Sequence, residues 1–167
     1  MSKLKKMLLL ALLSGMAAML GVFESMLPIL PAIPGGKLGI ANSITLITLY
    51  VFGGVPAAIV SALRTVVSCM LYGGMNTFMY SFAGAMSSVA VMICVKKALG
   101  SKVSPVGVSV IGAACHNTAQ VAVAWLVLRS SVLFQYLGAL LLIAIVSGTV
   151  CGWISGRCID RIKGLIK

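Results

Sequence analysis

Apolar stretches long enough to cross a bilayer fill most of this chain, and nearly all of its charges stand between them. A hydrocarbon core about 30 Å thick takes roughly 20 apolar residues of helix, and in lipid only helices or closed barrels satisfy their own backbone. The runs have helical length. They predict six spans at roughly 7–27, 39–52, 55–72, 77–95, 105–128 and 132–155, so the expected fold is an all-α integral membrane bundle forming one domain, 1–167. The second span is short, cut off at Phe52-Gly53-Gly54-Val55-Pro56, where the Gly pair ends one helix and Pro56 suits the first turn of the next. With 60% hydrophobic residues and a mean hydropathy of +1.14, the chain carries more apolar surface than a water-soluble fold of this size can bury.

Charge then predicts orientation. Thirteen Lys and Arg face only two carboxylates, Glu24 and Asp160. The cations gather as Lys3, Lys5, Lys6, then Lys96, Lys97, Lys102, then Arg157, Arg161, Lys163, Lys167, which alternates correctly with six spans. Short basic loops mark the cytoplasmic side, so both termini are expected in the cytoplasm of a multi-pass cell-membrane protein. The basic start and Leu-rich core of the first span resemble a signal peptide, but no small-x-small cleavage site precedes a soluble domain. The net charge of +11 invites a nucleic-acid partner, yet the cations flank spans and have no soluble domain to form a groove, so lipid is the expected partner. Cys69, Cys94, Cys115, Cys151 and Cys158 form no CxxC pair, and neither a zinc site nor a disulfide framework nor a cofactor is expected.

Helices in lipid approach one another through small residues. Span six carries Ala144, Gly148, Gly152 and Gly156 at intervals of four, one continuous ridge that predicts packing inside the bundle. Span one carries several such stripes, pairing Ala11 with Gly15, Ser14 with Ala18 and Ala17 with Gly21. The surplus predicts an external helix against Ala11, Gly15 and Ala18.

Polar groups inside spans are costly, about 2.5–3.5 kcal/mol for a central Arg on insertion scales, so they line a cavity or find a partner. Arg64 lies about nine residues into span three, with Ser61, Thr65, Ser68 and Tyr72 recurring at helical steps. In span five, Gly112, His116 and Gln120 share a face, with Asn117 beside them. These groups are expected to converge on one cavity, which would make spans three and five neighbours. Glu24 ends span one on the outer side, where Lys37 and Arg64 are its obvious cations; a structural ion pair is the plainer alternative to a ligand contact. Gly35, Gly36 and Gly39 in the following loop let backbone amides approach a ligand. Spans two, four and six begin outside, with Asn76 or Thr77 and Ser130 or Ser131 as expected caps, and their positive dipole ends, with Lys37 and Arg129 beside them, favour an anion.

Glu24-Ser25 before a Pro-rich turn, Lys37-Leu38-Gly39-Ile40-Ala41-Asn42, Arg64, Tyr72-Gly73-Gly74 and His116-Asn117-x-x-Gln120 together resemble the heptaprenyl diphosphate synthase component I family, also called the Gx transporter family, over nearly the whole chain. That family is similar to the substrate-binding S components of energy-coupling factor (ECF) transporters, six-helix proteins that work with a transmembrane T subunit and two ATPases. The resemblance implies a small-molecule binding subunit whose first helix, at Ala11 and Gly15, meets the T subunit. A prenyl diphosphate synthase needs clustered carboxylates to hold magnesium, and Glu24 and Asp160 stand on opposite sides of the expected membrane. No Walker motif is present either, so no catalytic residue is expected and energy for transport must come from partners. The expected pocket is lined by Glu24, Lys37, Asn42, Arg64, Asn76, His116, Asn117 and Gln120. The competing expectation is a non-catalytic membrane accessory in isoprenoid or quinone metabolism or in extracellular electron transfer.

Overall fold

The structure, a computed structural model, describes residues 2–26, 39–72 and 74–166. Apart from short connections the described residues are helical, in six α-helices: α1 (Lys3–Met26), α2 (Ile40–Phe52), α3 (Gly54–Tyr72), α4 (Met75–Leu99), α5 (Pro105–Leu128) and α6 (Leu137–Ile166), with 3₁₀ segments at Gly100–Lys102 and Ser131–Tyr136. Five of the segments are long and apolar enough to cross a membrane. The exposed surface agrees, since side chains such as Met70, 81% exposed, and Met75, 75% exposed, have no water-compatible reason to stand outward.

The helices follow one another in an arc in the order α1, α3, α4, α5, α6, and α2 stands inside it, touching all five. This explains why α2 is short. At 13 residues it is only about 20 Å long, but with protein on every side it has no lipid thickness to match. Ala41 and every residue from Ser43 to Leu49 are buried, an all-round burial that no amphipathic stripe produces. Leu46 and Leu49 pack with Ala57, Val89, Met92 and Val108 on one side, while Ile44 and Ile47 pack with Ala17, Val60 and Ile159 on the other.

Local chemistry sets the helix ends. Gly53, at φ 97°, occupies a backbone conformation that side chains disfavour, and it separates α2 from α3 as the Gly-Gly-x-Pro pattern predicts. Ser104 caps α5 by accepting the Gly107 N–H at 3.2 Å, with Pro105 in the first turn. Two expected caps are absent: α4 begins after Gly74 with no side-chain cap, and Ser130 precedes a 3₁₀ segment without capping it. That segment delays α6, expected over 132–155, to Leu137, and its helix continues to Ile166.

The ridge on α6 packs inside the bundle. A Cβ on Gly148 would stand 2.8 Å from the Val110 Cα, and one on Gly152 would stand 2.6 Å from the Val106 Cα, so the α5 and α6 backbones are in direct contact. Cationic ends gather at one end of the bundle: Lys96 donates to the Leu49 carbonyl at 2.8 Å and lies 4.3 Å over the Tyr50 ring, which Lys163 also approaches at 5.9 Å. Arg157 stacks on Trp153 at 4.6 Å, an aromatic and cation pair suited to a membrane interface.

Candidate functional site

Away from that basic end, the bundle holds a small polar cavity of about 30 Å³ lined by Gly21, Gly39, Asn42, Arg64, Thr65, Ser68, Cys69, Ser81 and His116. Five helices and the residue preceding α2 contribute to it. Its volume admits a water or two, well short of the several hundred Å³ of an ordinary ligand pocket.

Arg64 dominates the chemistry. It is only 7% exposed, and one terminal nitrogen donates to Asn42 Oδ1 at 3.3 Å while Nε has no hydrogen-bond partner among the described residues. A guanidinium carries five N–H donors, so this one retains capacity for an acceptor. Asn42 is itself held from behind, donating through Nδ2 to Ser88 Oγ at 3.0 Å. The opposite flank is closed by α1: Ser68 donates to the Ala18 carbonyl at 3.2 Å, and a Cβ on Gly21 would collide with the Ser68 hydroxyl.

Glu24 has a specific job. Its carboxylate accepts the N–H of Ile40 at the start of α2, so a charge from one helix caps another and complements its dipole. It also lies within electrostatic reach of Arg64. The cap depends on a tertiary approach between residues 16 apart, which sequence spacing does not reveal.

The expected site residues therefore divide. Asn42, Arg64 and His116 meet at the cavity. Asn117 does not, because its amide donates to the Leu140 carbonyl at 2.9 Å and ties α5 to α6. Gln120 shares a face with His116 as expected, but both pack on Gly84 of α4, and Gln120 is absent from the cavity lining. Asn76 is exposed in the first turn of α4, and Lys37 lies outside the described residues. The expected contact between spans three and five is replaced by α4, which runs between α3 and α5; the cavity is reached from both without their touching. On α1, Ala11 and Gly15 are exposed, and nothing lies within 4 Å of a Cβ built on Gly15. Ala18 is corrected: it is buried against α3, with its carbonyl taken by Ser68.

Sequence reasoning missed Ser81 and Cys69 as cavity walls, and Ser88 as the support of Asn42. A signal existed, since Ser81, Gly84, Ala85 and Ser88 form a small, partly polar ridge at helical spacing, and all four are buried.

The family model for heptaprenyl diphosphate synthase component I matches residues 13–158. The chain belongs to this family. The match covers most of all six helices, including every described residue of the cavity. No curated protein and no solved structure matches the chain. Among the described residues of this family member, no group of three or more His, Cys, Asp and Glu is placed to hold a metal ion.

Proposed function

We propose that this protein is a membrane-embedded binding subunit of the S type, taking up a small anionic or amphipathic molecule with energy from separate ATPase partners. The observation that carries the reading is Arg64, buried among helices of membrane-spanning length, with an Nε that has no partner among the described residues, beside a polar cavity. A cation in that setting is too costly to keep for packing alone. The reading takes α2 as the sixth span, short because protein surrounds it, and puts the basic ends of the bundle in the cytoplasm, so that the cavity lies toward the outside. Glu24 then borders the entry, and Gln120 and Asn117 support the wall from behind His116.

The exposed Ala11 and Gly15 stripe supports docking of a partner helix such as the T subunit of an ECF assembly, which would work with two ATPases. Ala11→Leu with Gly15→Leu should abolish co-purification with those partners and leave ligand binding and the melting temperature of the isolated protein intact. A lowered melting temperature with full co-purification would make the stripe internal packing.

A second reading is favoured by the family description: a non-catalytic membrane component that assembles with a prenyl diphosphate synthase or another isoprenoid, quinone or redox partner. Native mass spectrometry of protein purified in mild detergent separates the two. The binding reading predicts a discrete added mass of a small molecule, and the accessory reading predicts a co-purified synthase or redox subunit with no such mass.

A further inference from the structure

The cavity at Arg64 is too small to enclose a ligand, but it does not stand alone. Cys69, 6% exposed, lines both the cavity and a separate apolar groove of about 340 Å³ on the outer surface between α3 and α4, whose other walls are Val66, Met70, Gly74, Met75 and Phe78. Met70 and Met75 are among the most exposed side chains of the molecule, so the groove opens sideways to the surrounding lipid. A polar hollow, where the Arg64 Nε has no partner among the described residues, and an apolar trough therefore have Cys69 in common.

A second groove, about 370 Å³ between α1 and α3, is lined by Ala18, Met19, Val22, Phe23, Met26, Val67 and Leu71. It shares no lining residue with the cavity. The Ser68 to Ala18 hydrogen bond and the close approach of Gly21 to Ser68 seal α1 against α3 along that side. On the α4 side Cys69 is common to the linings of cavity and groove, and the α4 residue lining the cavity is the small Ser81.

We propose that the ligand is a membrane-resident amphipath with an anionic head and a single apolar chain, the head at Arg64 and Asn42 and the chain leaving past Cys69 into the groove between α3 and α4. This rests on the binding reading above and specifies its substrate class. Entry is lateral, from the bilayer. One oxygen of an anionic head, in the space of a water at the cavity, supplies the acceptor that the Arg64 Nε lacks, and charge-assisted contacts of this kind are the strong ones. The groove lies within the volume range of small-ligand sites, which the cavity does not. A chain moving from lipid to an apolar groove gains little from hydrophobic burial, because lipid is equally apolar. Affinity accordingly comes from the head, and the chain is recognised by where it lies.

The test is therefore one of location. Wild-type protein in phosphatidylcholine nanodiscs is irradiated with a dodecyl phosphate bearing a diazirine near its chain end, and labelled residues are mapped by mass spectrometry. Labelling is expected at Val66, Met70, Met75 or Phe78, displaced by unlabelled dodecyl phosphate but not by dodecanol, and reduced at least tenfold in Arg64→Met. Displaceable, Arg64-dependent labelling confined to Ala18, Phe23 or Leu71 would overturn the proposal and leave the binding reading standing. Uniform labelling of the lipid-facing surface, unchanged by Arg64→Met, would also overturn it. The fate of the binding reading is then read separately, from whether the native protein carries a small-molecule mass that Arg64→Met loses.

Discussion

The seam between α5 and α6 and the polar end around Arg64 solve the same problem, helix association where lipid offers no hydrophobic drive, in opposite ways. At the seam Gly148 and Gly152 bring backbones into contact, and the polar Asn117 is satisfied by the Leu140 carbonyl. Around Arg64 the helices are held by side-chain donors, Asn42 to Ser88 and Ser68 to the Ala18 carbonyl, and a hollow remains where the Arg64 Nε has no partner among the described residues. A contact that completes itself is structural. One that stays incomplete under burial leaves a demand for a ligand, and the two regions should respond oppositely to substitution.

The largest effect is expected at the seam. Gly152→Ala places a methyl against the Val106 backbone, where no side chain can turn away, and should cost about 3 kcal/mol, or roughly 6–12 °C in apparent melting temperature in detergent. Equal stability would mean that α5 and α6 are not in contact there. Next comes Arg64→Met, which removes the buried cation and its free Nε donor: ligand affinity should fall about ten- to hundredfold, equivalent to about 1.5–3 kcal/mol, with the ligand-free melting temperature unchanged or higher. Glu24→Gln keeps the shape but removes the charge that caps α2, and should lower stability by about 1 kcal/mol. The smallest change is expected for Asn117→Ala, about 0.6 kcal/mol of stability from the lost bond to Leu140, with ligand affinity retained.

Much of the scaffold was legible in the sequence for physical reasons. Lipid dictates span length, so the apolar runs located α5 at 105–128 and the others within a few residues except at α6. There the 3₁₀ segment Ser131–Tyr136 is as apolar as helix and periodicity does not distinguish it. The Gly152 ridge could be read because four-residue spacing has few uses in a membrane helix other than close packing.

The site was legible only in part. Successive helical positions turn by about 100°, so His116 and Asn117 are neighbours in sequence yet face α4 and α6 respectively. Spacing identifies residues that share a face but not which neighbour that face meets. Asn76 and Ser81 stand five positions apart on α4, on different sides of the helix, and only the second reaches the cavity. The role of Glu24 depends on the position of the α2 N-terminus in space, information that resides in the helices packed around α2 and not in any local pattern.

The central claim is that the incomplete contact at Arg64 exists for a ligand. Native mass spectra of wild type, Arg64→Met and Asn117→Ala, each purified in the same mild detergent and each melted after ligand removal, test it most directly. The account predicts a small-molecule mass on wild type and Asn117→Ala that disappears from Arg64→Met, while Asn117→Ala alone melts lower. A folded Arg64→Met that keeps the bound mass, or that loses stability as a structural residue would while its folded fraction binds normally, would contradict it.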